Sequence, residues 1–84
     1  MVTREVTVTL KSGLQARPAA LFVQEANRFG SHVTIQKNHQ EVNAKSIMGV
    51  MSLAIRKDTA IVIKAEGNDA EDAVNALEAF VTEH

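Results

Sequence analysis

The 84-residue sequence contains no cysteine, which excludes disulfides, thiol catalysis and zinc–thiolate sites and is compatible with a reducing cytosol. It also lacks an excess of charge. Nine Lys and Arg stand against ten Asp and Glu, a formal net charge of −1 with neutral histidines, so no basic field recruits nucleic acid directly. No apolar run approaches the roughly 20 residues of a membrane span. The start Met1-Val2-Thr3-Arg4-Glu5-Val6 alternates and carries charge early, unlike the apolar centre of an export leader. A soluble, cytoplasmic chain is therefore expected. Internal repeats and low-complexity stretches are absent. With a hydrophobic share of 45%, the length suits a single domain over residues 1–84 built on one layered core.

The periodicity of what is present changes along the chain. Val2, Val6, Val8 and Leu10 fall on one parity and Glu5, Thr7 and Thr9 on the other, the pattern of a strand with one wet face, which Arg4 interrupts. From Pro18 the spacing is helical, through Ala19, Phe22, Val23, Ala26 and Phe29, and Gly30 is placed to end that helix in a left-handed conformation. Val33 and Ile35 define a second strand. Lys37-Asn38-His39-Gln40 reads as a tight turn into a short third strand around Val42, giving a hairpin. Ser46 precedes a short helix through Ile55, and its hydroxyl is a good cap worth about 1 kcal/mol. Arg56-Lys57-Asp58 leads to an apolar strand over Ala60, Ile61, Val62 and Ile63, as in a central strand covered on at least one face. Gly67-Asn68 closes it, and Asn68 with Glu71 approximates a capping box for a last helix whose inner face is Ala70, Ala73, Val74, Leu77, Phe80 and Val81. Glu83 and His84 leave that helix without basic residues at its end, so fraying is expected there. Short links and half-wet strands favour an α+β fold, a mostly antiparallel sheet with helices on one face, in the order βαββαβα. The strand order is not fixed by the sequence.

The only proline, Pro18, fits the first turn of a helix, so Gln15 and Arg17 stand at a helix mouth. Free backbone N–H groups and the dipole favour an anion there, and an adjacent guanidinium adds a forked donor. Ile47, Met48, Val50, Met51 and Leu53 spread around more of their helix than one core contact buries. Part of that set is therefore expected to stay exposed as a Met-rich docking surface, against the alternative of a short buried helix. His32, His39 and His84 have no metal-ligand spacing, and no cofactor is implied.

The segments Gly13-Leu14-Gln15-Ala16-Arg17-Pro18-Ala19 and Asn43-Ala44-Lys45-Ser46-Ile47-Met48-Gly49-Val50-Met51 together resemble the bacterial histidine-containing phosphocarrier family, HPr. The likeness extends over the whole chain in length and element order. It implies a four-stranded open-faced sandwich with three helices on one side. In that family the residue at the place of Gln15 is the histidine that carries a phosphoryl group in sugar uptake. An amide nitrogen has its lone pair delocalised into the carbonyl and is no nucleophile at neutral pH. Gln15 with Ser46 retained is similar to the catabolite-repression branch of the family.

The resemblance implies a regulatory phosphoprotein rather than an enzyme. Ser46 would be phosphorylated by HPr kinase/phosphorylase, and the product would act as corepressor of the LacI-type regulator CcpA without touching DNA. Arg17, Lys45, Ile47, Met48 and Met51 would contribute to partner binding, with Lys45 solvated and supporting. Further metabolic enzymes are possible partners, and a homodimer by exchange of the first strand is a family-based expectation. Two other readings stay open: a phosphocarrier of the sugar phosphotransferase system, which Gln15 opposes, and a small interaction domain that carries neither phosphorylation. Local rules alone make Gln15 a loop amide, Arg17 a side chain covering the helix start and Ser46 a simple cap.

Overall fold

A computed structural model of the protein describes residues 1–82. Its elements are β1 (Val2–Thr7), α1 (Arg17–Ala26), β2 (His32–Lys37), β3 (Gln40–Asn43), α2 (Ile47–Ser52), β4 (Ala60–Glu66) and α3 (Ala70–Thr82). The four strands form one sheet in the order β1-β4-β2-β3, every pairing antiparallel. The α+β arrangement expected from the sequence is the one observed.

Alternation decides which side the helices cover. Val6, Val33, Ile35, Ile61, Ile63 and Ala65 point inward and are buried. Their sequence neighbours Thr7, Thr34, Val62 and Lys64 lie on the open face, half-buried or exposed. In register, Val6 stands opposite Ile61 and Ile35 opposite Ile63, so cross-strand apolar pairs line the inner face. Helix α1 buries Ala19, Phe22 and Ala26 against it, and α3 buries Ala70, Ala73, Val74, Leu77 and Val81. The two helices also meet through Phe22 and Phe80, edge to face with centroids 5.9 Å apart.

Several boundaries differ from the sequence reading. Strand β1 ends at Thr7, although Val8 continues backbone pairing with Thr59 and Asp58, and Thr9 N–H turns to Val81 O at 2.8 Å. Helix α1 ends at Ala26 with Asn27 in a right-handed conformation, and Gly30 is not left-handed. The chain instead unwinds through bonds from Arg28 N to Glu25 O and from Phe29 N to Ala26 O, a tightened last turn that needs no left-handed residue. Helix α2 stops at Ser52 rather than Ile55. Ala54 takes a positive φ of 50°, and Ile55 turns into the core.

The capping box read at Asn68 is also corrected. Helix α3 starts at Ala70, so Asp69 flanks it, and its backbone carbonyl receives Ala73 N–H. The Asp69 carboxylate reaches across the fold, accepting from Gly30 N–H and Ser31 N–H, both at 2.9 Å, and from the Ser31 hydroxyl. Ser31 is the only polar residue among the buried set of described residues. Gly67 permits this approach: its φ is 148°, and a Cβ there would lie 2.5 Å from Ser31 Oγ. Arg4, which breaks the apolar parity of β1, faces α3 and pairs with Glu71 and Glu78 while donating to Asn75. The fraying expected from Glu83 and His84 lies outside the described residues.

The Ser31 hydroxyl, followed by the Gly30 N–H, holds the Asp69 carboxyl below its ordinary value of 3.8. A carboxylate whose folded value is depressed adds stability that is complete above the unfolded value and is lost as pH falls through the folded one. Urea unfolding measured against pH should therefore show stability declining below about pH 3.8. In Asp69→Asn that decline should be smaller, and the variant should be less stable than the native chain at neutral pH and converge with it in acid.

Candidate functional site

Ser46 sits where β3 hands over to α2. The turn is fixed by Asn43, whose side-chain oxygen accepts Lys45 N–H at 2.8 Å and whose carbonyl accepts Ser46 N–H at 3.1 Å. Ala44 anchors it, fully buried and bonded through its N–H to Val33 O. Ser46 itself is extended (φ −109°, ψ 115°), and its Oγ accepts Gly49 N–H at 3.1 Å. That is the cap read from the sequence. Gly49 lets the helix lie close on β3, since a Cβ there would be 3.3 Å from Val42 Cβ.

The far end of α2 is held by Lys37, which local spacing marks only as part of a turn. Lys37 of β2 donates from Nζ to Leu53 O at 2.9 Å and Ala54 O at 3.2 Å, placing a cation at the negative end of the helix. Between these two fixings α2 turns Val50 and Leu53 inward, both buried. Ile47, Met48 and Met51 face out at 41%, 78% and 45% exposure. The open choice between core and surface is thereby settled for these three side chains. Leu21 of α1, which the sequence reading did not single out, is also 40% exposed, on a helix that packs against α2. Lys45, read as solvated, is half-buried, with Nζ donating to Phe29 O at 2.7 Å. Its ammonium ties the exit of α1 to the entrance of α2.

The second candidate locus is the loop before α1. Gly13 has φ 65°, and a Cβ on it would lie 2.2 Å from Ile55 O, so only glycine allows the backbones to meet. Leu14 is fully buried and its N–H bonds Ile55 O at 2.9 Å. This contact pins the loop just past the exit of α2, whereas Ser46 caps its entrance. Gln15 and Arg17 are exposed. Ala16, which flanks α1, has φ 53° and ψ −125° and offers no side-chain cap. A backbone of that kind costs on the order of 1–3 kcal/mol in a residue with a Cβ, and it leaves the first-turn N–H groups without a side-chain acceptor. Pro18 lies in the first turn, as expected.

His32 begins β2 opposite Glu66, and His39 lies in the β2–β3 turn; His84 lies outside the described residues. Among the described residues no three His, Asp or Glu side chains are grouped to hold a metal ion, and no helix is long and apolar enough to cross a membrane. On the open sheet face the Thr34 hydroxyl, with Lys64 beside it, holds Glu41 below the usual carboxylate range.

A family model described as "PTS HPr component phosphorylation site" matches residues 2–83. The chain is 60% identical over 81 residues to the HPr-like protein Crh of Halalkalibacterium halodurans, covering 96% of each chain. It is 57% identical over 83 residues to the HPr-like protein Crh of Bacillus subtilis, covering 99% of this chain and 98% of that one. The crystal structure of a phosphocarrier protein HPr from Bacillus anthracis superposes with a TM-score of 0.95 at 60% identity, over 96% of both chains. The crystal structure of B. subtilis Crh, described as a swapping-domain dimer, gives a TM-score of 0.77 at 57% identity, over 96% of this chain and 93% of that one.

Replacing Ser46 by Ala removes the acceptor for Gly49 N–H, so Ser46→Ala should lower unfolding stability by about 1 kcal/mol. Denaturant unfolding checks this; a loss of that size with an unchanged far-ultraviolet spectrum identifies a lost cap rather than a lost fold.

Proposed function

The chain belongs to the PTS HPr family, and from that premise we propose that it is a regulatory phosphoprotein of carbon catabolite repression. Ser46 accepts the phosphoryl group from HPr kinase/phosphorylase, and the phosphorylated protein is the corepressor of CcpA. The observation that carries this reading is the position of the Ser46 hydroxyl, at the entrance of α2 and followed directly by the exposed Ile47, Met48 and Met51.

In the transfer, Ser46 Oγ forms a bond to the γ-phosphorus of ATP, the bond to the β–γ bridging oxygen breaks, and the hydroxyl proton leaves to base. The product adds about −1.5 to −2 charge at a helix N-terminus, where the dipole favours an anion. Its oxygens can take over the Gly49 N–H that Oγ now accepts. The modification is thus compatible with an intact α2. It turns a neutral cap into an anion beside an apolar patch, a combination suited to a partner that offers basic donors around an apolar pocket. Arg17 is the further exposed cation assigned to this surface. Lys45, already committed to Phe29 O, supports it by holding α2 in place.

Gln15 opposes the phosphocarrier reading, because its amide supplies no nucleophile. Two measurements separate the cases. After incubation with the kinase and ATP, mass spectrometry should find one added phosphate, located on Ser46. After incubation with phosphoenolpyruvate and the upstream enzyme of the phosphotransferase system, none should be found. The unphosphorylated chain and kinase-treated Ser46→Ala should bind the repressor at least about tenfold more weakly than the phosphoprotein. Equal affinities overturn the corepressor mechanism.

A homodimer by exchange of β1 is part of the same proposal, supported by the swapped arrangement described for B. subtilis Crh. Here β1 pairs with β4 of its own chain over Val2–Thr7. Exchange would form the same pairs between two chains, with Ser12-Gly13 as the hinge. Light scattering over a concentration series should show the mass rising toward twice the monomer, with slow interconversion because β1 must detach before it can exchange.

A further inference from the structure

The chain has three methionines, and none of them is in the core. Met48 and Met51 are 78% and 45% exposed, and Met1 is 80% exposed. The core is instead built from Val, Ile, Leu, Phe and Ala. This is an unusual allocation, since the flexible thioether side chain is most often used to fill gaps in a core. Met48 and Met51 are three residues apart on one helix and so lie on the same side of it, immediately after Ser46. The inner side of α2 is held by Val50 and Leu53, its entrance by the Ser46–Gly49 bond and its exit by Lys37. None of these fixings involves sulfur.

We propose that Met48 and Met51 are an oxidation site that controls docking by this surface, with peroxide as the oxidant. The inference rests on the docking role assigned to the surface above. In the reaction the thioether sulfur attacks one oxygen of hydrogen peroxide, a sulfur–oxygen bond forms and the oxygen–oxygen bond breaks. Sulfur gives up two electrons, and the proton left on the transferred oxygen passes to the departing hydroxide, giving the sulfoxide and water. A flexible apolar side chain becomes a polar sulfoxide, and reductases can reverse the change. Burying that oxygen against an apolar partner strips its water without a replacement bond. The fold has no such penalty, because neither sulfur is inside it. Ser46 keeps its cap and its hydroxyl, so phosphorylation and oxidation act as separate inputs. The phosphate creates the recognition feature, and the sulfoxides remove the apolar half of it.

The test uses the full phosphorylated chain, treated with hydrogen peroxide and mapped by peptide mass spectrometry. Met48 should oxidise first among the two helix methionines. Far-ultraviolet circular dichroism and the denaturation midpoint should stay unchanged, and affinity for the repressor should fall by at least about tenfold. Methionine sulfoxide reductases should restore it. Because Met1 oxidises as well, the double variant Met48→Leu/Met51→Leu is treated in parallel; whatever its starting affinity, peroxide should not change it. Untreated phosphoprotein that does not bind the repressor overturns the functional reading and the docking half of this proposal, while the mapped sulfoxides and the denaturation midpoint still decide the chemical half. Normal binding that survives oxidation overturns this proposal alone, as does unfolding of the oxidised chain or an equal peroxide effect in the double variant.

Discussion

A four-stranded sheet covered on one face can bury only one side of each helix laid on it, and the rest of this structure follows from that constraint. The long helices meet it with regular stripes: Ala19, Phe22 and Ala26 in α1, and Ala73, Val74, Leu77 and Val81 in α3. The short α2 meets it with Val50 and then Leu53 just beyond its end. Ile47, Met48 and Met51 belong to the same apolar run but have no layer above them, so they remain in solvent. The exposed patch is thus a geometric remainder of the architecture, in place before any partner is considered.

Such a short helix cannot hold itself together in water, because nucleation is costly and few intrahelical bonds form. Contacts from elsewhere in the chain supply what it lacks. Ser46 satisfies one entrance N–H, Lys37 satisfies carbonyls at the exit, and Leu14 N–H binds Ile55 O just past it. Gly13 and Gly49 let backbone and helix come close enough for this. The Asp69 carboxylate does a comparable task for the α1–β2 connection, tying Gly30 and Ser31 to the start of α3. These polar links between elements fix how the helices sit on the sheet, while the apolar stripes fix only which side faces in.

The two loci differ in what their chemistry permits. The loop before α1 leaves Arg17 exposed and the first-turn N–H groups free of a side-chain cap. Gln15 leaves it without a nucleophile. Ser46 has a hydroxyl, an adjacent helix N-terminus and an apolar neighbourhood. In the proposed function the covalent chemistry therefore belongs to α2, and the loop before α1 contributes its arginine to recognition.

By itself the sequence determined what depends on local spacing: seven elements in order, the inward faces of α1, α3, β1 and β2, the Asn38-His39 turn, the Ser46 cap and an amide rather than a nucleophile at residue 15. Each follows from a period of 2 or 3.6 or from the chemistry of one side chain, so neighbours along the chain suffice to read it. Only the tertiary structure decided the strand order, the early end of α2, the right-handed exit of α1 that made Gly30 an amide donor, and the positive φ of Ala16. It also decided the partners of Arg4, Lys37, Lys45 and Asp69. A spacing seven apart in Glu71 and Glu78 is visible in the sequence, but that it meets Arg4 is not. Contacts between residues tens of positions apart depend on which faces the packing brings together, and that is a property of the assembled layers, not of any one stretch.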